Sequence, residues 1–405
     1  MKHKSTTLKL TTAIMIGLVL GIIVGFVMPG RFDGLLPLLS LVSSIYMNAL
    51  RMMIYPLVFC SLIVGIKGIG SVSKTGKIGL QTIIYYCGTT LFASLLGLFL
   101  PKAIGLGNGV QIEMMESDIA ATEFTSILDT VKNLIPANPI ASFANGDMLQ
   151  VLVFAIIVGI TILAVGDKAE PFYKVCESVN EISVKIISVV MLFTPVGVFC
   201  SISTVIYANG MDTILSLGKV MLAVYITYFL YMIVFYGIIV KVLGKCSLKK
   251  FWSAILPAAL NAFGTCSSSA TLPISKKCAD ELEIPNEISS LSLPLGATIN
   301  MDAVSIVMSF MIVFFANACG VEVSFQMMVI VLLANTLLSI GTPGVPGGAI
   351  ASFAALSAIA GLPTGIMGVY ISVNTLADMG ATCCNVVGDL ACSVAMKETV
   401  KVDIK

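Results

Sequence analysis

The sequence predicts an all-α membrane protein with eight transmembrane helices and two re-entrant helical hairpins, arranged as inverted repeats. Of its 405 residues, 57% are hydrophobic and 11% are charged, and the mean hydropathy is +1.01. Soluble domains carry about 25% charged residues, so we expect this chain to lie in the lipid bilayer. Two apolar segments interrupted by glycine, proline and serine predict the hairpins. The net charge of +1, without a long basic run, gives no sign of a nucleic-acid partner.

Six spanning segments precede the first hairpin. The apolar run from about Leu10 to Met28 lacks a clean cleavage site, which indicates a retained helix rather than a signal peptide. Further apolar segments lie near 35–66, 79–101, 143–166, 184–207 and 217–243. Lysines cluster at 67–77 and 241–250, which predicts cytoplasmic loops, and the acidic stretch 102–140 suits the outer face. The predicted location is the cell inner (plasma) membrane, with both termini in the cytoplasm.

Residues 251–275 predict the first re-entrant hairpin. This apolar segment contains Pro257, Gly264, the serines 267–269 and Pro273, and paired lysines flank it on both sides. Both ends therefore look cytoplasmic, and about 25 residues cannot cross a core of roughly 30 Å twice. Irregular backbone at membrane depth needs a cover of protein or a water-filled cavity. A kinked spanning helix remains the alternative.

A second interrupted segment follows a further spanning helix. Leu332–Leu338 leads into glycines and prolines at 343, 344, 346, 347 and 348, which cannot form a continuous helix. Each half, 251–318 and 325–400, would consist of a broken hairpin followed by a helix. Paired broken segments indicate a binding site near the bilayer midplane of a secondary transporter.

A polar stripe runs through the last predicted helix. At about 100° per residue, Asp378, Thr382, Asn385 and Asp389 lie within roughly 60° of one another, and Asn374 extends the same stripe. Such groups are expensive to keep within a membrane, so they need an aqueous cavity, a cation or a polar ligand. A polar seam between helices is the alternative interpretation.

Four motifs resemble the dicarboxylate/amino acid:cation symporters, the family of glutamate and neutral amino acid transporters. They are Ser-Ser-Ser-Ala-Thr-Leu-Pro at 267–273, Pro-Leu-Gly-Ala-Thr-Ile-Asn-Met-Asp at 294–302, Gly-Thr-Pro-Gly-Val-Pro-Gly at 341–347, and Asp378 with Asn-Val-Val-Gly-Asp at 385–389. The pairs Tyr85-Tyr86 and Thr89-Thr90 continue the resemblance upstream. It implies a homotrimer in which a scaffold carries a transport domain that moves as an elevator.

The resemblance also implies a division of the chain into eight parts. These are scaffold helices 1–2 (1–78), transport-domain helix 3 (79–101), scaffold helices 4–5 (143–212), transport-domain helix 6 (217–243), hairpin 1 (251–281), helix 7 (284–318), hairpin 2 (325–360) and helix 8 (363–400).

Three sodium sites per substrate are implied by the same resemblance. The ligands of the first site are Tyr86, Thr89, Thr90, Asn300 and Asp302. The second site combines Asp389 with the carbonyls of Gly296, Asn300 and Asn385. The third combines Thr298 and Met301 with hairpin carbonyls near Ser339, Ile340 and Thr342. Members that use protons usually depart from this ligand set, so we expect sodium as the coupling ion.

The residue chemistry points to cations independently. Asp302 and Asp389 are intramembrane carboxylates, and bound cations would stabilise their charged form. An aspartate paired within the core is the alternative, but the last two helices contain no nearby lysine or arginine as a partner.

The substrate ligands carry over from the resemblance in the same way. Asp378 would hold the α-ammonium group of an amino acid, assisted by Thr382 and by the carbonyls of Cys266 and Val345. Asn385 and the backbone of Ser268 would hold the α-carboxylate. The complete predicted set is Cys266, Ser267, Ser268, Val304, Val345, Gly347, Asp378, Ala381, Thr382 and Asn385.

The side-chain end of this site departs from the acidic-substrate pattern. Transporters of acidic amino acids have arginine where Ala381 stands, threonine where Val304 stands, and a further arginine at the position of Cys266 or Met379. The departures predict a neutral substrate such as alanine, serine, threonine or cysteine. A larger neutral amino acid or cystine, and an acidic substrate in an atypical pocket, remain alternatives.

A channel or sensor, and an enzyme, are the function classes to compare with transport. A ligand-gated anion channel or a transport-dead sensor would use the same fold but would not concentrate an amino acid. An enzyme is not predicted, because the single histidine is His3 and the chain contains neither a metal cluster nor a phosphate-binding glycine loop.

Overall fold

The computed structural model describes residues 2–29, 31–73, 77–110, 135–145, 147–209, 211–363 and 365–400. The structure is 86% helical, and no strand occurs in these ranges. The helices are α1 (Lys2–Val27), α2 (Leu36–Arg51), α3 (Ile54–Ser73), α4 (Lys77–Ala103), α5 (Pro139–Asn145), α6 (Met148–Val165), α7 (Glu170–Val190), α8 (Thr194–Asn209), α9 (Met211–Leu230), α10 (Leu248–Thr265), α11 (Ser268–Glu281), α12 (Asn286–Ile299), α13 (Asp302–Ala318), α14 (Phe325–Gly341), α15 (Gly348–Ile359) and α16 (Ile366–Thr399).

Several helices are long and apolar enough to cross a bilayer. In the described ranges, five segments qualify by length and composition: Ile78–Ala103, Gln150–Ile187, Leu215–Leu243, Asn286–Ala318 and Ile366–Thr399. Shorter apolar helices accompany them, among them Ile54–Gly68 and Thr194–Tyr207. The predicted class, an all-helical membrane protein, is confirmed. The number of crossings stays a prediction.

Two predicted scaffold segments are divided differently in the structure. The segment 35–66 was expected to be one helix, but a turn at Met52 and Met53 separates α2 from α3. The range 143–212, expected to hold two helices, contains α6, α7 and α8. The additional helix α7 carries Glu177, Glu181 and Lys185. Because α7 is amphipathic rather than apolar, its first half was not recognised, and the predicted apolar segment starts only at residue 184.

The two predicted hairpins and the helix between them are each broken once. Hairpin 1 consists of α10 and α11, and hairpin 2 consists of α14 and α15. The predicted helix 284–318 is interrupted, because Asn300 and Met301 leave the helical conformation with ψ angles of 74° and 49°. This break was not expected, and it brings backbone groups to the depth of the hairpin tips.

The first and eighth helices pack at unusually short range. Gly17, Gly21 and Gly25 form one stripe on α1, and a Cβ at Gly21 would lie 2.8 Å from the carbonyl oxygen of Phe199. A Cβ at Gly25 would lie 2.7 Å from the carbonyl oxygen of Ser203. Small residues at such spacing are typical of close helix pairs in membranes.

The remaining helices form two packed groups. In one group α1 and α2 pack on α8, and α3 packs on α6 and α7. In the other, α4 packs on α13, while α10, α12 and α13 pack around the central helix α16. The groups meet where α3 contacts α14 and α15, and where α8 contacts α16. The candidate site lies in the second group, close to this boundary.

Candidate functional site

Three breaks in the helices of the second group lie close to the polar stripe of α16. Hairpin 1 turns at Cys266, whose left-handed backbone (φ 50°, ψ 33°) ends α10. Ser267 then caps the start of α11, and its Oγ accepts a hydrogen bond from the amide of Ala270 at 3.2 Å. Hairpin 2 turns at residues 342–347. The third break separates α12 from α13. The helices are thus interrupted at the positions where the sequence predicted binding.

Asp302 begins α13 and is completely buried. Its Oδ1 accepts a hydrogen bond from Thr90 Oγ1 at 2.6 Å. Its Oδ2 accepts from the hydroxyl groups of Tyr236 at 2.7 Å and Tyr231 at 3.3 Å. The structure therefore joins the predicted Thr90–Asp302 pair to two tyrosines that the sequence analysis missed.

The missed tyrosines come from a π-helical turn. Tyr231–Tyr236 continues α9 as a π-helix, and a second such turn covers Ile239–Leu243. On an α-helix, side chains five residues apart diverge by about 140°, whereas π geometry places them near one another. The presence of two tyrosines in an apolar helix is a weak sequence signal. Nothing in the sequence predicted their shared direction.

Asp389 forms the second carboxylate centre. Its Oδ1 accepts a hydrogen bond from Asn300 Nδ2 at 2.9 Å, and Asn300 Oδ1 accepts from Thr89 Oγ1 at 3.3 Å. A Cβ on Gly296 would collide with the Asp389 carboxylate and would lie 2.8 Å from the hydroxyl of Tyr86. The structure thus brings Tyr86, Thr89, Gly296, Asn300 and Asp389 together.

These groups fit sodium ions. Asp302 and Asp389 are 0% and 3% exposed, and neither takes part in an ion pair formed by described residues. A buried charge without a counter-charge carries a large desolvation penalty. Hydroxyl, amide, carbonyl and carboxylate oxygens surround both positions, and oxygen is the ligand that hard cations prefer. Bound sodium would supply the missing positive charge.

The third predicted sodium site is only partly assembled. Thr298, Ile340 and Thr342 line one cavity, whereas Met301 lines another, and Thr342 borders both. Thr298 is exposed and donates its hydroxyl hydrogen to the carbonyl of Leu295 at 2.8 Å. Ser339 is fully buried, and its Oγ has no hydrogen-bond partner. Of the predicted ligands of this site, Thr342 borders both cavities.

Most of the predicted substrate residues line one small cavity of about 10 Å³. Its walls are Cys266, Ser268, Met301, Val304, Thr342, Pro343, Gly344, Val345, Ala349, Asp378, Thr382 and Asn385. This volume holds about one water molecule. An amino acid can therefore bind only after part of the wall moves.

The wall that closes this cavity is the tip of hairpin 2. The amide of Gly347 donates a hydrogen bond to Asp378 Oδ2 at 3.2 Å, and Thr382 Oγ1 donates to Asp378 Oδ1 at 3.3 Å. Ser267 Oγ donates to the carbonyl of Gly344 at 3.1 Å, which joins the two hairpin tips. Ser267 and Gly347 are thus placed at the site, although neither lines the cavity.

Two predicted substrate residues differ from their expected arrangement. Ala381 is 1% exposed and does not line the small cavity; it belongs to the surrounding hydrophobic core. Asn385 does line the cavity, but its Oδ1 accepts from the amide of Ala303 at 2.8 Å and its Nδ2 donates to Met301 Sδ at 3.3 Å. Asn385 therefore also holds the start of α13 against α16.

A larger cavity of about 540 Å³ lies at the boundary of the two helix groups. Gly65 and Gly68 of α3 line one side, Ser269 and residues 340–345 of the hairpins line another, and α7 contributes Glu181 and Lys185. This cavity is large enough for an amino acid and reaches the outer surface of the hairpin 2 tip.

Comparison with known proteins identifies the family. The sequence model described as "Sodium:dicarboxylate symporter family" matches residues 10–399. The chain belongs to the sodium:dicarboxylate symporter family. Members of this family are membrane transporters, not enzymes, and the resemblance inferred from the four motifs is confirmed. Sodium coupling, symport and a membrane location agree with this membership.

Several relatives within the sodium:dicarboxylate symporter family are similar along nearly their whole length. The proton/sodium-glutamate symport protein of Bacillus subtilis (strain 168) is 30% identical, over 96% of this chain and 92% of the relative. The C4-dicarboxylate transport protein of the same organism is also 30% identical, over 94% and 91%. The proton/glutamate-aspartate symporter of Escherichia coli (strain K12) is 29% identical, over 99% and 95%.

Proposed function

We propose that this protein is a sodium-coupled symporter of neutral amino acids such as alanine, serine, threonine or cysteine. One observation carries this proposal. The small cavity contains Asp378, a suitable partner for an α-ammonium group, and none of its lining residues is cationic. A site with one negative group and no positive group suits a ligand that carries an amine and a neutral side chain.

Coupling to sodium is supported by the two buried carboxylate centres. Asp302 and Asp389 each face hydrogen-bond donors, and both need positive charge for stable burial. Hairpin 2 supplies the Gly347 amide to Asp378 and also carries Ser339 to Thr342 of the third proposed site. Ion binding and substrate binding would then act on one hairpin, so each would strengthen the other. Three sodium ions per substrate are proposed.

Exclusion of acidic amino acids follows from the same pocket. An unpaired buried carboxylate costs several kcal/mol, and about 3 kcal/mol amounts to more than a hundredfold in affinity. The two arginines, Arg31 and Arg51, lie before α2 and at its last residue. Neither belongs to the hairpins, α13 or α16, so we assign neither to the substrate. The named relatives act on glutamate, aspartate or C4-dicarboxylates, and the changes at Ala381, Val304 and Cys266 set this chain apart from that pattern.

A second candidate is an acidic amino acid symporter with an atypical pocket. One observation favours it: Lys185 on α7 lines the larger cavity next to the hairpin tips. A lysine there could attract an anionic substrate before it enters. It lies on the other helix group, however, and cannot accompany a substrate that stays with α16. Replacement of Lys185 by methionine should leave the order of amino acid affinities unchanged if the neutral assignment is right.

The architecture is proposed to follow the family pattern. α1–α3 and α6–α8 would form a scaffold, and α4 with α9–α16 would form a transport domain that slides against it. The larger cavity lies between the two, and the hairpin 2 tip forms part of its wall. Eight crossings, cytoplasmic termini and a homotrimer complete the proposal. A larger neutral substrate and a sensor role are outcomes that the following experiment separates.

The test is a binding and uptake screen with purified protein. Thermal shift would be measured for each proteinogenic amino acid in sodium chloride and in choline chloride, followed by uptake into proteoliposomes with a sodium gradient. We expect sodium-dependent stabilisation and accumulation of small neutral amino acids. Asp378→Asn should abolish the amino acid response and retain a response to sodium alone. Tight sodium-dependent aspartate binding would contradict the neutral assignment, and equal affinity in both salts would contradict sodium coupling.

A further inference from the structure

The larger cavity contains two charged side chains that belong neither to the sodium sites nor to the substrate site. Glu181 and Lys185 lie one turn apart on α7, and both line this cavity. They are the only charged residues among the described residues that line it. Both are exposed, and neither forms an ion pair with a residue of the described chain. The cavity therefore presents one unpaired carboxylate and one unpaired ammonium group.

The charged residues nearer the start of α7 behave differently. Two ion pairs occupy that part of the helix: Lys174 with Glu177, and Lys67 of α3 with Glu170. A glutamate followed four residues later by a lysine also tends to pair on a helix, because the two Cβ atoms are only about 5–6 Å apart. Glu181 and Lys185 have this spacing and remain separate. Their two charges are thus close neighbours with space between them for a ligand.

A free α-amino acid matches this pair of charges. It carries an ammonium group and a carboxylate on one carbon atom, so it is a compact zwitterion. Glu181 would accept hydrogen bonds from the ammonium group, and Lys185 would donate to the carboxylate. A simple anion would be repelled by Glu181, and a simple cation by Lys185. The cavity volume of about 540 Å³ leaves room for a side chain of any size.

The larger cavity shares a wall with the small cavity. Residues 342–345 of hairpin 2 line both, whereas Asp378 lines the small cavity and Glu181 lines the larger one. Movement of this wall would join the two spaces. An amino acid that leaves Asp378 would then enter the space in front of Glu181 and Lys185, where its ammonium group again meets a carboxylate.

We propose that the larger cavity is a second, weaker binding site for the transported amino acid, formed by Glu181 and Lys185. Both side chains are exposed, and exposed charges contribute little to affinity, so this site is weaker than the one at Asp378. Its charged residues lie on α7, in the helix group that does not contain α16. The proposal rests on the proposed function in one respect, because it takes a neutral amino acid as the substrate.

The test measures binding in the larger cavity while the substrate site is disabled. Asp378→Asn removes the carboxylate proposed to bind the ammonium group in the small cavity. Gly68→Cys adds a thiol to the wall of the larger cavity, where a Cβ has room because the nearest atom beyond its own helix backbone, Leu295 Cδ1, is 3.9 Å away. Full-length protein with both substitutions would be alkylated at increasing concentrations of L-alanine. Peptide mass spectrometry would report the labelling of position 68.

L-Alanine should protect position 68 in a saturable manner. Glu181→Gln and Lys185→Met, each added to this background, should raise the half-protecting concentration of alanine about fivefold, because each removes one exposed charge contact. Alaninamide lacks the carboxylate and propionate lacks the ammonium group. Each should therefore protect about fivefold more weakly than alanine does.

Glu287→Gln and Lys219→Met are the matched controls, because each removes an exposed charge that does not line the cavity. Both should keep the half-protecting concentration. No protection by alanine, equal protection by propionate, or unchanged protection in Glu181→Gln or in Lys185→Met would overturn the second site. These outcomes leave the proposed function standing, since it is tested by sodium-dependent uptake with Asp378 intact. Uptake of acidic instead of neutral amino acids would overturn the proposed function, while protection by alanine would still decide the second site.

Discussion

Gly296 and Asp389 approach each other so closely that the backbone has no room for a side chain. A Cβ at position 296 would meet the carboxylate of Asp389 and the hydroxyl of Tyr86. The glycine therefore permits Asp389 to reach Asn300, whose Nδ2 donates to it at 2.9 Å. The proposed sodium site therefore depends on the missing side chain of Gly296 as much as on the carboxylate.

Gly296→Ala should displace the Asp389 carboxylate and weaken sodium-dependent substrate binding. Overpacking of a closely packed core costs about 1–3 kcal/mol, which corresponds to roughly five- to a hundredfold in affinity. The measurement is substrate affinity as a function of sodium concentration. Gly88→Ala in α4 is the control, because a Cβ there has open space around it. Unchanged sodium dependence in Gly296→Ala would show that Asp389 does not hold an ion in this position.

Ala381→Arg should raise affinity for aspartate and glutamate and lower affinity for neutral amino acids. A buried guanidinium would pair with an acidic side chain, and a shift of about 3 kcal/mol exceeds a hundredfold. Competition binding with the two ligand classes measures it. Ala381→Met adds bulk without charge, so it separates the two effects. If the methionine variant gains aspartate affinity equally, charge is not the determinant.

The motifs predicted the identity of most site residues but not all of their contacts. Asp302, Thr90, Asn300 and Asp389 meet as expected, because the resemblance fixes those positions along the chain. Ala381 lies in the hydrophobic core and does not line the small cavity. That difference depends on the packing of the helices, which residue identity does not encode.

Hairpin 2 is the element whose movement binding requires. Its tip lines both cavities and reduces the inner one to about 10 Å³. Three hydrogen bonds hold its tip there: one from the Gly347 amide to Asp378, and two to the Gly344 carbonyl, from Ser267 Oγ and from the amide of Ser269. Hydrogen bonds contribute about 0.5–1.5 kcal/mol each in net terms, so opening is energetically accessible.

Native Cys266 should report this movement. Its side chain is 5% exposed and lines the closed cavity, so a small thiol reagent reaches it only when hairpin 2 opens. We expect alkylation in sodium-free buffer and strong protection by sodium with a neutral amino acid, read by peptide mass spectrometry. Half-buried Cys319 serves as the internal control. Equal labelling of Cys266 in both conditions would show that hairpin 2 is not the moving wall.

The sequence predicted elements well where composition was distinctive. Glycine and proline at the hairpin 2 tip predicted its break, and charged flanks with proline predicted hairpin 1. The amphipathic α7 and the turn at Met52 were missed, because hydropathy averages over both. The break at Asn300 follows from its contacts with Asp389 and Thr89, which are distant in sequence and outside the reach of local propensity.

The described structure consists of two helix groups with a cavity between them. The scaffold-like group presents stripes of exposed apolar residues, among them Leu38, Leu41 and Ile45 on α2 and Val175 and Ile182 on α7. Apolar surface of this kind faces either lipid or a neighbouring subunit. The proposed homotrimer would cover part of it and leave the other group free to move.

Native mass spectrometry in detergent should show trimers of the wild-type protein. Ile182→Trp should reduce the trimer population, because a larger side chain cannot fit a packed subunit interface. Leu222→Trp on α9, an equally exposed position of the other group, should leave trimers intact. Monomers only in the wild-type protein would rule out the trimer.

The Gly347 amide donates a hydrogen bond to Asp378, the carboxylate proposed to bind the ammonium group of the substrate. Substrate binding would therefore replace one hydrogen-bond donor by another. While hairpin 2 is shut, the carboxylate is already satisfied by the hairpin itself. A ligand with an ammonium group can release the hairpin and take its place at no net loss of hydrogen bonding. A ligand without an amine must break the same bond and offers Asp378 nothing in return. Under the proposed function, the group that an amino acid displaces would be the Gly347 amide of the protein itself, and this competition would select against dicarboxylates that lack an amine.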